Sequence, residues 1–180
     1  MGGSPLGVRR SALMIRALGA QDVPAVTQIL EEWLIDPETG TLLASEVARR
    51  IRQLHEALTT LTEPWYFVAE DPDALIQGVI GLQADQIAAE LYSPSGSPVE
   101  IVTACVRRRS RGIGVGRALI ETVERVARQR GFSTLLIVSG SRNRDSYPLW
   151  RARYGAPLRV DENYFGPGAE RVVWRSRIQP

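Results

Sequence analysis

The stretch Arg111-Gly112-Ile113-Gly114-Val115-Gly116-Arg117 limits the folds open to this chain more than any other. A short apolar run, Glu100 to Val106, precedes it, and an amphipathic segment follows as far as Gly131. A strand feeding a glycine-rich turn that opens a helix is a phosphate-binding arrangement. The first helical N–H groups lack intrahelical partners, and the helix dipole adds partial positive charge there. Glycines at 112, 114 and 116 let a pyrophosphate approach the backbone without meeting a Cβ. Arg111 and Arg117 supply positive charge at the rim. The segment is expected to grip a phosphorylated cofactor.

Spacing separates the known phosphate loops. A P-loop needs Gly, four residues, then Gly-Lys-Ser/Thr, and this chain has no such run. A dinucleotide fingerprint needs a third glycine where Arg117 stands, and an acidic residue at the tip of the next strand, where the chain reads Ser139-Gly140. The pattern Arg/Gln-x-x-Gly-x-Gly/Ala after a strand fits at every position from Arg111 to Gly116. Val106 stands five residues ahead of Arg111, and Arg117-Ala118-Leu119 follows the loop. Asn143-x-x-Ser146-x-x-Leu149-Trp150 forms a second motif downstream. With both motifs the chain resembles the GNAT family, the GCN5-related N-acetyltransferases, most closely over residues 99 to 155.

At 180 residues the chain has the size of one domain with a proper core. A formal charge of +2 means that attraction to nucleic acid would need a local patch. Cys105 is the sole cysteine, which excludes an intramolecular disulfide and fits a reducing cytoplasm. No apolar run reaches the roughly 18 residues of a membrane span. Met1 to Ser11 reads as a flexible tail and 12–180 as a single domain.

Apolar spacing gives a strand at 12–18, then a helix with Asp22 as N-cap and Pro24 in its first turn, and a second helix from Ser45 to Leu58. Trp65 to Glu70 and Ala74 to Leu82 read as strands joined by Asp71-Pro72-Asp73. Residues 87–92 could be strand. Strand 99–106, helix 114–130, strand 134–139, a short helix at 146–154 and strands near 158–164 and 170–177 follow. This β-α-α-β-β-β-α-β-α-β-β order implies an α/β fold with helices on both faces of a mixed sheet. The resemblance implies a GNAT-like sheet that is mostly antiparallel.

The resemblance further implies acyl transfer from acetyl-CoA to a primary amine by direct attack through a tetrahedral intermediate, with no metal. The pantetheine arm is then expected on the backbone of Cys105 and Val106, where the Val106 N–H stabilises the oxyanion. The pyrophosphate is expected on Arg111 to Arg117, with backbone donors at Ile113, Gly114, Gly116 and Arg117 and with Val115 in the same loop. Asn143 and Trp150 belong to the second motif and are expected at the cofactor. The family often places a tyrosine acid seven residues after the Asn, and here that residue is Trp150. Its N–H is far too weakly acidic for that role. Tyr147, Tyr154 or water then protonates the leaving thiolate, with Tyr147 slightly preferred.

Glu100, near the start of the cofactor strand, is the candidate base, and strict alternation would put it on the same face as Val106. Glu31, Glu32, Asp36 and Glu38 read as solvated surface, and His55 as an exposed helical residue. The Arg107–Arg111 run would flank the cofactor phosphates. Two alternatives stay open: an acyl-CoA-binding sensor with impaired chemistry, and a nucleic-acid-binding protein using that basic run. The acceptor could be a small molecule or a peptide. A homodimer joined through the chain end, Glu170 to Ile178, also remains open.

Overall fold

The computed structural model describes residues 13–60, 63–84 and 97–178. The expected tail at 1–11 and the segment at 87–92 lie outside the described residues. Seven strands form one sheet in the order β1-β2-β3-β4-β5-β7-β6. They are β1 (Met14–Ala17), β2 (Trp65–Glu70), β3 (Ile76–Gln83), β4 (Pro98–Val106), β5 (Thr134–Gly140), β6 (Arg159–Asp161) and β7 (Arg171–Arg177). All neighbours are antiparallel except β4 and β5. Among the described residues four α-helices flank the sheet: α1 (Val23–Trp33), α2 (Ala44–Thr60), α3 (Val115–Gln129) and α4 (Tyr147–Tyr154). None of the described helices is long and apolar enough to cross a membrane.

Two apolar layers sandwich the sheet. Val115, Leu119 and Val123 of α3 and Trp150 of α4 pack with Ile80, Val99, Ile101 and Trp174 on one face. Val26, Ile29 and Leu30 of α1 and Leu54 of α2 pack with Val68 and Val79 on the other. β3 is buried from Ile76 to Leu82 because helices cover both of its sides. Gly78 admits α3 at close range: a Cβ there would lie 2.9 Å from Leu119 Cδ1 and 3.1 Å from the Cys105 carbonyl oxygen.

Two features of β4 prepare the site. Val79 pairs with Cys105 and Gly81 with Val102, so Thr103 and Ala104 together oppose Ile80 in a β-bulge. Thr103 takes a left-handed φ of 53°, an uncommon conformation for a β-branched residue. Then β4 pairs with β5 only from Pro98–Thr134 to Ile101–Ile137. Beyond those pairs the strands part.

The bulge overturns the alternation expected along β4. Val99 and Ile101 face α3, and Val102 faces α1 and α2. After the extra residue, Ala104 and Val106 face α3 and Cys105 faces α1 and α2. Glu100 therefore shares a face with Val102, opposite Val106.

Other expectations shift for local reasons. The Asp71 carboxylate accepts from the N–H groups of Asp73 and Leu75, holding them in a turn, so β3 starts at Ile76. β6 stops at Asp161, ahead of a turn in which Asn163 has φ 58° and accepts from Gly166 and Gly168. β7 lies between β5 and β6, so only its far half, from Trp174, could offer an edge to a second copy.

Asp22 does not cap α1 through its side chain. Its carboxylate accepts from Arg16 at 2.6 and 2.8 Å and from the Gly19 N–H at 2.8 Å. Arg16 also donates to Glu70 at 2.8 Å, tying β1, β2 and the entry of α1 together. The Arg16 hydrogen bonds, with that of Gly19, hold the Asp22 carboxyl below its ordinary value against the cost of burial. A depressed folded pKa means the contribution is complete above the unfolded value of about 3.9 and is lost as pH falls through the folded value. Asp22→Asn is expected to cost about 2 kcal/mol at neutral pH. Urea titrations should also show a shallower loss of stability below about pH 4 than in the parent.

Candidate functional site

The glycine loop closes one end of a cavity of about 380 Å³. Gly112 and Gly114 have φ of 75° and 100°, values that favour glycine, and Gly114 leads directly into α3. Gly116 differs, because its φ is negative-side helical backbone and a Cβ there would make only ordinary contacts at 3.7 and 3.9 Å. Its bare Cα lines the cavity, leaving room for a ligand rather than relieving the chain. The other wall is the parted edge of β4 at Ala104, Cys105 and Val106. Trp33 of α1 donates its indole N–H to the Val106 carbonyl at 2.9 Å. Arg111 stacks 4.0 Å above the Trp33 ring and lies 4.0 Å from Asp145. This wall is mostly apolar, with charge gathered at the loop.

The expected loop residues divide by role. Arg111, Gly112, Gly114, Gly116 and Arg117 line the cavity. Arg117 donates to Glu121 at 2.8 Å one turn along α3. The Val115 side chain is in the core, so only its backbone faces the loop, while Ile113 is exposed. The basic run does not act as one patch. Arg107 donates to the Ile76 carbonyl at 2.8 Å and to Gln28 at 3.0 Å, and the Arg108 N–H donates to Glu32 at 2.7 Å. Glu32, expected as free surface, thus fastens the loop to α1. Within the run Arg111 alone lines the cavity.

A second cavity, about 390 Å³, lies on the α1/α2 side of β4 and meets the first at Ala104, Cys105, Ser146, Trp150 and Trp33. Its lining is polar: Arg49, Arg50 and Gln53 from α2, Gln83 from β3, and Glu100 and Thr103 from β4. Glu100 is its one lining carboxylate among the described residues. Asn143 lines this cavity and not the first, a placement different from the cofactor contact expected of it.

Trp150 is 4% exposed and lines both cavities, but its N–H is committed to Ser146 Oγ at 3.0 Å. Ser146 in turn donates to the Asn143 carbonyl at 2.7 Å. The motif Asn-x-x-Ser-x-x-Leu-Trp therefore reads as an internal hydrogen-bond chain. Ser146 and Trp33 are among the lining residues that sequence reasoning passed over, as are Arg49 and Arg50 of the second cavity. Ser146 stood inside a quoted motif, whereas nothing local marks Trp33.

Tyr147 and Tyr154 line neither cavity. Tyr147 packs edge-on against Trp174 with ring centroids 5.3 Å apart. Burial, aided by the charge of Glu170, pushes its hydroxyl up to about 12. Tyr154 donates to Glu124 at 2.9 Å, and burial with that carboxylate raises it further. His55 is exposed on α2 and lines neither cavity.

The family model described as the acetyltransferase (GNAT) family matches residues 27–156. No curated protein matches the chain. Solved structures of similar fold include an N-acetyltransferase from Staphylococcus aureus Mu50, at 17% identity and TM-score 0.72, covering 94% of this chain and 100% of that one. YncA from Salmonella typhimurium, solved with its cofactor acetyl-CoA, is 17% identical with TM-score 0.70 and covers 94% and 96% of the two chains. The ribosomal-protein-alanine N-acetyltransferase from Brucella melitensis is 20% identical with TM-score 0.67, covering 91% and 99%.

Cys105 stands where the two cavities meet, yet burial pushes its thiol up to about 12. Held well above its ordinary value, the thiol is mostly protonated at pH 8 and reacts slowly. Iodoacetamide is expected to alkylate Cys105 more slowly in the folded protein at pH 8 than in urea, as intact-mass measurement will read. Equal rates in the two conditions would contradict the raised thiol pKa.

Proposed function

The chain belongs to the acetyltransferase (GNAT) family, and on that premise we propose that it moves an acetyl group from acetyl-CoA to a primary amine by direct attack. One observation carries the reading: β4 and β5 part under a glycine loop, and a cavity on each side of β4 meets at Ala104–Cys105. The first cavity suits a long thioester arm with a phosphate head. Beyond Ile101 the β4 edge has no β5 partner, so its backbone can pair with an amide-bearing arm, as a strand would. The bare Gly116 and the start of α3 fit the phosphates, with Arg111 and Arg117 at the rim.

Acetyl-CoA supplies a thioester carbonyl whose sulfur is a competent leaving group. The rest falls to this chain. The backbone N–H at Val106 faces the developing oxyanion, and the second cavity presents the amine from the opposite side of β4. The attacking nitrogen forms a bond to the carbonyl carbon, the carbon–sulfur bond breaks, and sulfur leaves with the electron pair. Glu100 takes the amine proton, directly or through water. The thiolate accepts its proton from water, since the Trp150 and Ser146 donors are already engaged. A thiol pKa near 8.5 makes that last step undemanding.

Two tests follow. Gly116→Glu places an acid in the first turn of α3, where the helix dipole tolerates it, while filling the cavity with bulk and negative charge. Acetyl-CoA affinity by calorimetry is expected to fall at least 100-fold with the melting temperature little changed; unaltered affinity would refute the cofactor assignment. Tyr147→Phe is expected to leave kcat and its pH dependence unchanged. A large loss in Tyr147→Phe would restore that residue as the acid. Acetyl-CoA binding without thiol release for any amine would favour a sensor instead.

A further inference from the structure

The second cavity has a charge pattern that a simple amine does not explain. Its lining sets two arginines, Arg49 and Arg50, against one carboxylate, Glu100. Arg49 is engaged, donating to Glu46 at 2.6 Å within α2. Arg50 is half-buried and forms no ion pair among the described residues. Its one side-chain bond is a long contact of 3.4 Å to Gln53 Oε1, on its own helix. Arg50 lines the second cavity from α2, and its charge also lowers the Glu46 carboxyl one turn earlier. A half-buried cation that forms no ion pair among the described residues gains from a ligand anion that completes it.

Nothing in the first cavity competes for this charge. The phosphate-facing arginines are Arg111 and Arg117, and Arg50 lines only the second cavity. The remaining polar lining, including Gln83, Thr103 and Asn143, is neutral. Thr103 Oγ1 is buried there without a hydrogen bond of normal geometry. At about 390 Å³ the cavity falls toward the small end of the range for small-molecule sites.

Building on the acetyl-transfer reading, we infer that the acceptor is a small amino acid or related amino-carboxylate. Its carboxylate pairs with Arg50, and its amine points past Glu100 toward the junction at Ala104–Cys105. Arginine's planar fork suits a carboxylate bidentately, and fixing that end orients the amine for attack.

The test assays thiol release with free L-amino acids, their carboxamides, and the corresponding amines lacking the carboxyl group. The parent should prefer at least one free acid over its carboxamide by tenfold or more in kcat/KM. In Arg50→Gln that preference should collapse toward one, and Arg50→Lys should restore part of it. Acetyl-CoA calorimetry on each variant confirms folding through the other cavity. Equal rates with acids, carboxamides and plain amines, or turnover with peptides alone, would overturn the acceptor assignment and leave acetyl transfer standing. No thiol release with any acid also overturns it, and a parallel failure to bind acetyl-CoA would remove the transferase reading as well.

Discussion

The site depends on the divergence of two parallel strands. β4 and β5 hold each other through Ile101 and Ile137 and then separate, although both continue. An open strand edge in a protein interior leaves backbone donors and acceptors without partners, which is costly unless something fills the gap. Here the gap is bounded rather than collapsed. Trp33 takes the Val106 carbonyl from one side, and the Trp150–Ser146–Asn143 chain stiffens the other. The groove persists because its rim is tied down while its backbone edge stays available. The Thr103 bulge then turns the end of β4 so that successive residues address both cavities.

The charged groups near the loop serve this arrangement more than they serve a ligand. Arg107 and Arg108 bind the turn before the glycine loop to α1 through Gln28 and Glu32, and to β3 through the Ile76 carbonyl. That anchoring fixes where Arg111 and the start of α3 sit relative to the β4 edge. Loop position therefore rests on contacts from a helix more than seventy residues earlier in the chain. Such coupling explains how a basic run that suggests a nucleic-acid patch becomes mostly structural, with Arg111 left for the cavity.

Much of the fold was legible because its signals are local. The element order followed from apolar periodicity and from Gly, Pro and Asp punctuation, and the glycine loop declared its helix through spacing alone. The errors arose where a long-range contact decided. Glu100 was placed on the wrong face because one extra residue at Thr103 resets the alternation, and no sequence rule marks a β-branched residue as a bulge. Asp22 has the sequence context of a cap, but Arg16 claims its carboxylate. Tyr147 has a chemically suitable side chain, and the packing of α4 turns it to Trp174 instead. Asn143 keeps its motif but reaches the polar cavity. Residue type was readable in each case, whereas direction was set by the folded surroundings: a bulge, an ion pair or a packing partner.

The tryptophan at 150 recasts the division of labour between the two cavities. A phenol at that place could donate a proton across the junction, whereas the indole N–H is spent holding Ser146, which itself holds the Asn143 carbonyl. The position thus contributes rigidity and apolar surface to both cavities, not acidity. On the proposed acetyl transfer, with the thiolate left to solvent, the demanding requirement would move to the nucleophile, which would have to arrive as a neutral amine against an apolar junction. A polar cavity with an arginine and a carboxylate is suited to that task, because it can fix the far end of an acceptor while its nitrogen sheds water and a proton. Selectivity and catalysis would then share one arrangement: the group that recognises the acceptor also sets the line of attack.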